Sequence, residues 1–191
     1  MKSKITIEEA RDLLEKYITQ DYLKNHSRET EVIMRGLAKH FEEDVDFWGI
    51  TGLLHDLDMD VISGDYKEHG MRTCAILEEE GYNIPEMFYA IKTHTEHLGH
   101  LNIERKSKLD FALSAAENIT GLIYAYVLMR PDKKIKDVKV KSITKKIKDK
   151  TFAANVDRTL INDIEKTGLS RAEFIEIALE SMKSIADEVG M

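Results

Sequence analysis

Residues 50–60 read ITGLLHDLDMD. The first half is an apolar helix face. The second half sets His55, Asp56, Asp58 and Asp60 within six residues. An apolar face buries itself against neighbouring elements, so this run carries an imidazole and an adjacent carboxylate directly to the edge of a core. Two readings stand open at this point. One is a capped helix end followed by a polar loop. The other is a pair of metal ligands, since imidazole and carboxylate are the donors expected for zinc, manganese or iron.

Outward from this stretch the apolar spacing is helical throughout. Thr6 with Glu9 three residues on has the form of a capping box, and a helix is predicted over about 7–18. The second runs over about 22–41, with His26 and Thr30 on its apolar stripe beside Leu23, Ile33, Met34, Leu37 and Phe41. The third spans about 46–56. Gly49 and Gly52 weaken it by about 1 kcal/mol each relative to Ala, a loss that close helix packing offsets. A loop follows, then helices over about 71–80 and 85–95, with Gly81 ending one and Pro85 opening the next. After a second loop a long apolar helix is predicted over about 107–129, ended by Pro131, and shorter ones over about 138–148, 156–167 and 170–189.

The 191 residues match one domain by the length prior, are 42% hydrophobic, and contain only two prolines. With no strand pattern, the expected fold is all-α, a single-domain helical bundle with a metal-site core over about 20–130 and a C-terminal helical extension over about 131–191. Cys74 is the single cysteine, which excludes an internal disulfide and a cysteine-based zinc site. The first residues lack an apolar signal core, and no window reads as a membrane span; the expected location is cytoplasmic. The formal net charge of −7 argues against general nucleic-acid binding.

There are seven histidines. His26, His55, His69 and His94 each fall where a predicted helix meets the interior or a loop. His40 and His100 read as ordinary surface or loop residues. A lone core histidine is ordinarily a hydrogen-bonded packing residue, but the ordered set is different. The segments NHSRETEVIMRGLAKHF (25–41), GLLHDLDMD (52–60), EHGMRTCAILEEEGY (68–82), AIKTHTEH (90–97) and KLDFALSAAENITGLIYA (108–125) together resemble the HD superfamily of metal-dependent phosphohydrolases, and look closest to small members with an HDLD core motif. In that subgroup a segment like residues 130–158 follows the last motif helix.

That resemblance implies an all-α HD-type fold and a divalent transition metal (Mn, Fe, Zn, Ni or Co), one or two per chain. It implies His26, His55 and Asp56 as ligands, and a final carboxylate where this chain has Glu117 in place of the family's Asp. Asp110 is the nearest aspartate and lies about two turns earlier. Where HD proteins hold two metals, the Asp of the pair bridges, and His69 and His94 match the positions that complete the second site. His97, three residues after His94, would share its helix face. Asp56, Asp58, His69 and His94 are the expected catalytic set, with Asp60 and Glu96 as further candidates for orienting water or moving a proton.

The implied activity is hydrolysis of a small anionic phosphate ester, such as a nucleotide or related metabolite, through a metal-activated water. The alternative is a metal- or nucleotide-binding sensor without turnover, kept open by Glu117. Between Lys133 and Lys150 lie nine lysines. They read as a solvated helix face around Ile143 and Ile147, or, with Arg130 or Arg158, as a lure for an anionic substrate. Trp48 and the C-terminal helix face either the core or a second copy in a homo-oligomer.

Overall fold

The structure, a computed structural model, describes residues 1–99 and 101–191; His100 lies outside them. The described residues form α-helices joined by turns: α1 (Ile7–Tyr17), α2 (Asp21–Phe41), α3 (Val45–Leu54), α4 (Met71–Glu79), α5 (Pro85–His94), α6 (Lys108–Met129), α7 (Val140–Lys148), α8 (Arg158–Asn162) and α9 (Arg171–Lys183). Among them the one extended pairing is an isolated bridge between Lys2 and Tyr82. The all-α expectation holds.

Local chemistry sets the ends. Thr6 and Glu9 form the expected capping box, and Ser107 with Asp110 forms another at the start of α6. Asp110 is thereby occupied, accepting the N–H groups of Lys106 and Ser107 at 2.9 Å each. Two boundaries differ from the sequence pattern. The helix expected over 156–167 starts only at Arg158, because Asp157 caps it by accepting the Thr159 N–H at 2.7 Å. It then tightens into a 3-10 turn over Asp163–Thr167, which keeps Ile161 and Ile164 both buried. α9 stops at Lys183, where the Ser184 hydroxyl donates to the Ser181 carbonyl at 2.6 Å and competes with the helical pattern.

Two apolar clusters make the core. One gathers α6 with parts of α2, α7, α8 and α9 around Leu37, Ile119, Ile123, Ile161 and Phe174. The other joins α1, α3, α4 and α5 around Leu14, Leu53, Leu57, Leu77 and Ile91. α2 packs against α3 on one side and α6 on another, so it lies between them. By length and apolarity α6 could cross a membrane, contrary to the sequence expectation that no stretch qualifies. Its apolarity has a local cause: α2, α5, α7 and α8 cover it. Trp48 is buried in the core.

Gly52 explains how α2 and α3 meet. A Cβ there would lie 3.0 Å from the Thr30 carbonyl oxygen and 2.9 Å from Met34 Cγ. The carbonyl cannot yield, so the contact requires glycine. Gly52→Ala gains about 1 kcal/mol in helix propensity but meets overpacking of about 1–3 kcal/mol. A fall in Tm of a few degrees is expected, and a melting curve checks it; a rise in Tm would mean the helices separate freely.

Glu29 on α2 is only 4% exposed, and its Oε1 has no hydrogen-bond partner among the described residues. Burial pushes its carboxyl up to about 8. The unfolded chain loses this proton near 4.5, while the folded chain keeps it to about 8. Stability is therefore fully present below the unfolded pKa and lost as pH rises through the window, by the order of several kcal/mol. Glu29→Gln removes this dependence. Its Tm, measured relative to wild type, is expected to be distinctly higher in mildly alkaline buffer than in mildly acidic buffer, and an equal offset at both would sink the idea.

Candidate metal centre

Four elements deliver side chains to one point. His26 comes from the first half of α2. His55 is the C-cap of α3, and Asp56 follows it. His69 precedes α4, and His94 is the last residue of α5. Gly70 makes the approach of α4 to α5 possible: its φ is 76°, and a Cβ there would sit 2.9 Å from the Ile91 carbonyl oxygen. His55, Asp56, His69 and His94 are buried, and His26 keeps 23% of its side chain exposed.

Asp56 is the hub. Its Oδ2 lies 3.5 Å from His26 Nε2. Its Oδ1 lies 3.3 Å from His55 Nε2 and 3.4 Å from the Nε2 atoms of both His69 and His94. The donors fall into two groups that share it: His26–His55–Asp56 and Asp56–His69–His94. Ligand bonds of about 2.1 Å put two donors on one ion about 3.0–3.4 Å apart, which matches these separations.

The hydrogen bonds behind the rings fix their tautomers. His55 Nδ1–H donates to the Gly52 carbonyl at 2.7 Å, and His94 Nδ1–H donates to the Ile91 carbonyl. Carbonyls only accept, so the hydrogen must be on Nδ1. The Thr120 hydroxyl donates to the Glu117 carbonyl at 2.6 Å, and so accepts from His26 Nδ1–H at 3.0 Å. His26 Nε2 and His55 Nε2 are then both unprotonated and stand 3.3 Å apart. Two lone pairs at that distance repel unless a cation lies between them, so the donor set fits a metal ion. The fit is of the kind in which each ligating imidazole donates its other N–H outward.

The electrostatics agree. Burial lowers His26 and His55 to about 4, with Asp56 opposing it, so both rings are neutral at ordinary pH. Burial alone would raise Asp56, but His55, His94, His69 and His26 outweigh it and hold the carboxylate well below the usual range. Burial disfavours a charged His69, yet the hydrogen bond to Asp58 and the charge of Asp56 outweigh it and raise its pKa. His94 is lowered, mainly by burial.

The structure places the other candidates differently from their sequence reading. Asp58 stands behind His69 rather than in front of the cluster. It accepts His69 Nδ1–H at 2.8 Å and the N–H groups of Gly70 and Thr73 at 2.7 and 3.2 Å, so its lone pairs orient a ring and are not turned to a reacting water. Asp60 accepts the Thr19 N–H and hydroxyl at 2.7 Å each and ties its loop to the α1–α2 junction. Glu96 pairs with Arg105 at 3.1 Å. His97 sits beyond α5, in a 3-10 turn over Glu96–Leu98, with its Nδ1 3.2 Å from the His94 carbonyl oxygen, and belongs to neither donor group. Glu117 is half-buried and belongs to neither donor group. Burial and then the charge of Asp56 push its carboxyl well above the usual range, and Asn118 Nδ2 donates to its Oε1.

The basic candidates are also engaged elsewhere. Arg130 pairs with Asp132 at 2.9 Å, and the Arg158 guanidinium donates to the carbonyls of Ala153 and Val156. Ile143 and Ile147 are buried, and Lys141, Lys145 and Lys148 are exposed around them. Sequence reasoning missed Thr120 and Arg105. Thr120 was findable, three residues after Glu117 on the same helix. Arg105 carried no signal, yet it donates to the Thr93 carbonyl at 3.1 Å beside His94 and to Ser114 Oγ at 3.3 Å.

Comparison with protein families gives a match of the HD domain model to residues 23–122, more than half of the chain. The matched span contains every residue of the cluster. Neither a curated protein nor a solved structure matches.

Asp58→Asn keeps the shape but weakens the hold on His69. Loss of such an outer partner costs about 10–100-fold in metal affinity. That drop is expected in a Mn²⁺ titration followed by paramagnetic relaxation, and unchanged affinity would remove Asp58 from the assembly.

Proposed function

The chain belongs to the HD domain family, and from that premise we propose that it is a metal-dependent phosphohydrolase acting on a small phosphate ester through a water molecule. The observation that carries the reading is the hub: one carboxylate shared by four imidazoles in two donor groups. His26, His55 and Asp56 would hold one divalent ion, and Asp56, His69 and His94 a second. When bound, such ions lower the pKa of water and offset charge on phosphoryl oxygens.

The chain's own residues do the rest. Asp56, with its pKa held low, stays a carboxylate and supplies both oxygens. The outward Nδ1–H bonds keep each Nε2 turned inward. Apolar packing by Leu53, Leu54 and Leu57 around the end of α3 excludes bulk water and strengthens these interactions. The substrate class follows from charge: an anion is drawn to a cationic centre, and the ester group lies outside it. A cytoplasmic place suits such substrates.

The second reading is a metal- or nucleotide-binding sensor. It is favoured by the occupation of Asp58, Asp60 and Glu96 in structural bonds, which leaves Glu117 as the nearby carboxyl for proton transfer. Elemental mass spectrometry of wild type and Asp56→Ala, with phosphate release from 4-nitrophenyl phosphate in Mn²⁺ or Fe²⁺, separates the readings. About one or two ions per chain, lost in Asp56→Ala together with phosphate release, is the expected result. Retained metal without release from any ester supports the sensor. No metal in wild type after loading defeats both.

A further inference from the structure

Charge is divided unevenly along the chain. Residues 130–150 hold ten of the 28 lysines and arginines but only three of the 35 carboxylates. A chain of net charge −7 thereby carries one strongly basic segment on an acidic remainder. Lys133, Lys134 and Lys136 are exposed, and their ammonium groups pair with no carboxylate among the described residues. They follow directly on an apolar knob at the end of α6. Leu128 is 48% exposed and Met129 58%, and Tyr124, four residues before Leu128, shares its face. Grouped apolar side chains left in water with a charged border mark a surface that another body covers.

A surface of the opposite character lies where α1, α3 and α5 begin. There a groove of about 920 Å³ has Ile5, Ile7, Phe47, Ile84 and Met87 among its apolar lining. Five carboxylates also line it, Glu8, Glu43, Asp44, Asp46 and Glu86, against one cation, Lys4. Asp44 is occupied in capping α3, and Asp46 pairs with Arg35. Glu8, Glu43 and Glu86 are exposed and form no ion pair among the described residues. Knob and groove cannot meet within one chain. Lys108, the first residue of α6, sits over the Phe41 ring at 5.1 Å, and that ring lies 5.9 Å from Trp48, which lines the groove. α6 therefore starts beside the groove and, over its 22 residues, carries Leu128 and Met129 about 30 Å from that start.

We propose that the end of α6 is a plug for this groove in a second copy of the chain. Leu128 and Met129 cover the apolar floor, and the lysines after them meet the acidic rim. An apolar centre within a border of complementary charge is the ordinary anatomy of a specific interface. Because plug and groove lie at opposite ends of α6, the contact is head-to-tail. Each copy offers one of each, and association either closes into a ring or continues as a chain. A second copy is favoured over a membrane, because the acidic remainder that repels anionic lipid attracts the basic segment.

Sedimentation velocity of the full chain over a range of concentrations tests this. At low salt the mean mass is expected to rise with concentration past that of a dimer, and at high salt to fall back. Leu128→Asp sets a carboxylate against the acidic rim and is expected to weaken association at least about tenfold, as is the double variant Glu43→Lys, Glu86→Lys. Mixed together, these two proteins restore one good contact, because one keeps its groove and the other its plug. They should pair one to one and grow no further. All three positions are exposed, and melting curves verify that the variants fold. A wild-type chain that stays monomeric throughout, or one whose association ignores both variants, overturns the proposal. So does an association that mixing fails to restore, the mark of a symmetric contact. Cosedimentation with phosphatidylglycerol vesicles, lost in Leu128→Asp and without self-association, overturns it in favour of a lipid surface.

Discussion

A carboxylate removed from water persists only where other groups replace its hydration. Asp56 is such a group, and the structure is arranged around it. Four imidazole nitrogens stand within 3.3–3.5 Å of its oxygens, each from a different place in the chain. Unprotonated nitrogens crowd one another as well as the carboxylate, as His26 and His55 do. The cluster is therefore a set of donors awaiting positive charge, and the helices hold it assembled.

The helices meet this demand through a few close contacts. Gly52 lets α3 approach the backbone of α2 at Thr30, one turn from His26, and its carbonyl anchors the ring of His55. Gly70 lets α4 approach α5, while its N–H holds Asp58 behind His69. The same residues therefore set both helix packing and ligand orientation. The two apolar clusters flank the site, with α2 between them, and strain in either would reach the donors through α2 and α3.

Much was legible in the sequence. Helical periodicity located every α-helix, because an amphipathic stripe is a local property of the chain. The ends failed where short-range hydrogen bonds compete with the helix, as at Asp157 and Ser184. The histidines and Asp56 were legible by order and context. The roles of Asp58, Asp60 and Glu96 were not, since a loop carboxylate looks the same in sequence whether it faces a site, a backbone N–H or an arginine. Arg105 shows the converse: its partners Thr93, Ser114 and Asp163 are set by folding, not by spacing.

By itself, the sequence determined the helical class, the family resemblance and the identity of the residues able to donate to a metal, because residue type and periodicity are carried by the chain. Only the tertiary structure decided that Asp56 is shared between two donor groups, that Asp58 serves His69, that Glu117 stands outside both groups, and that Glu8, Glu43 and Glu86 line one groove. Those are distances between residues far apart in the chain. Packing fixes them, and no local pattern encodes them.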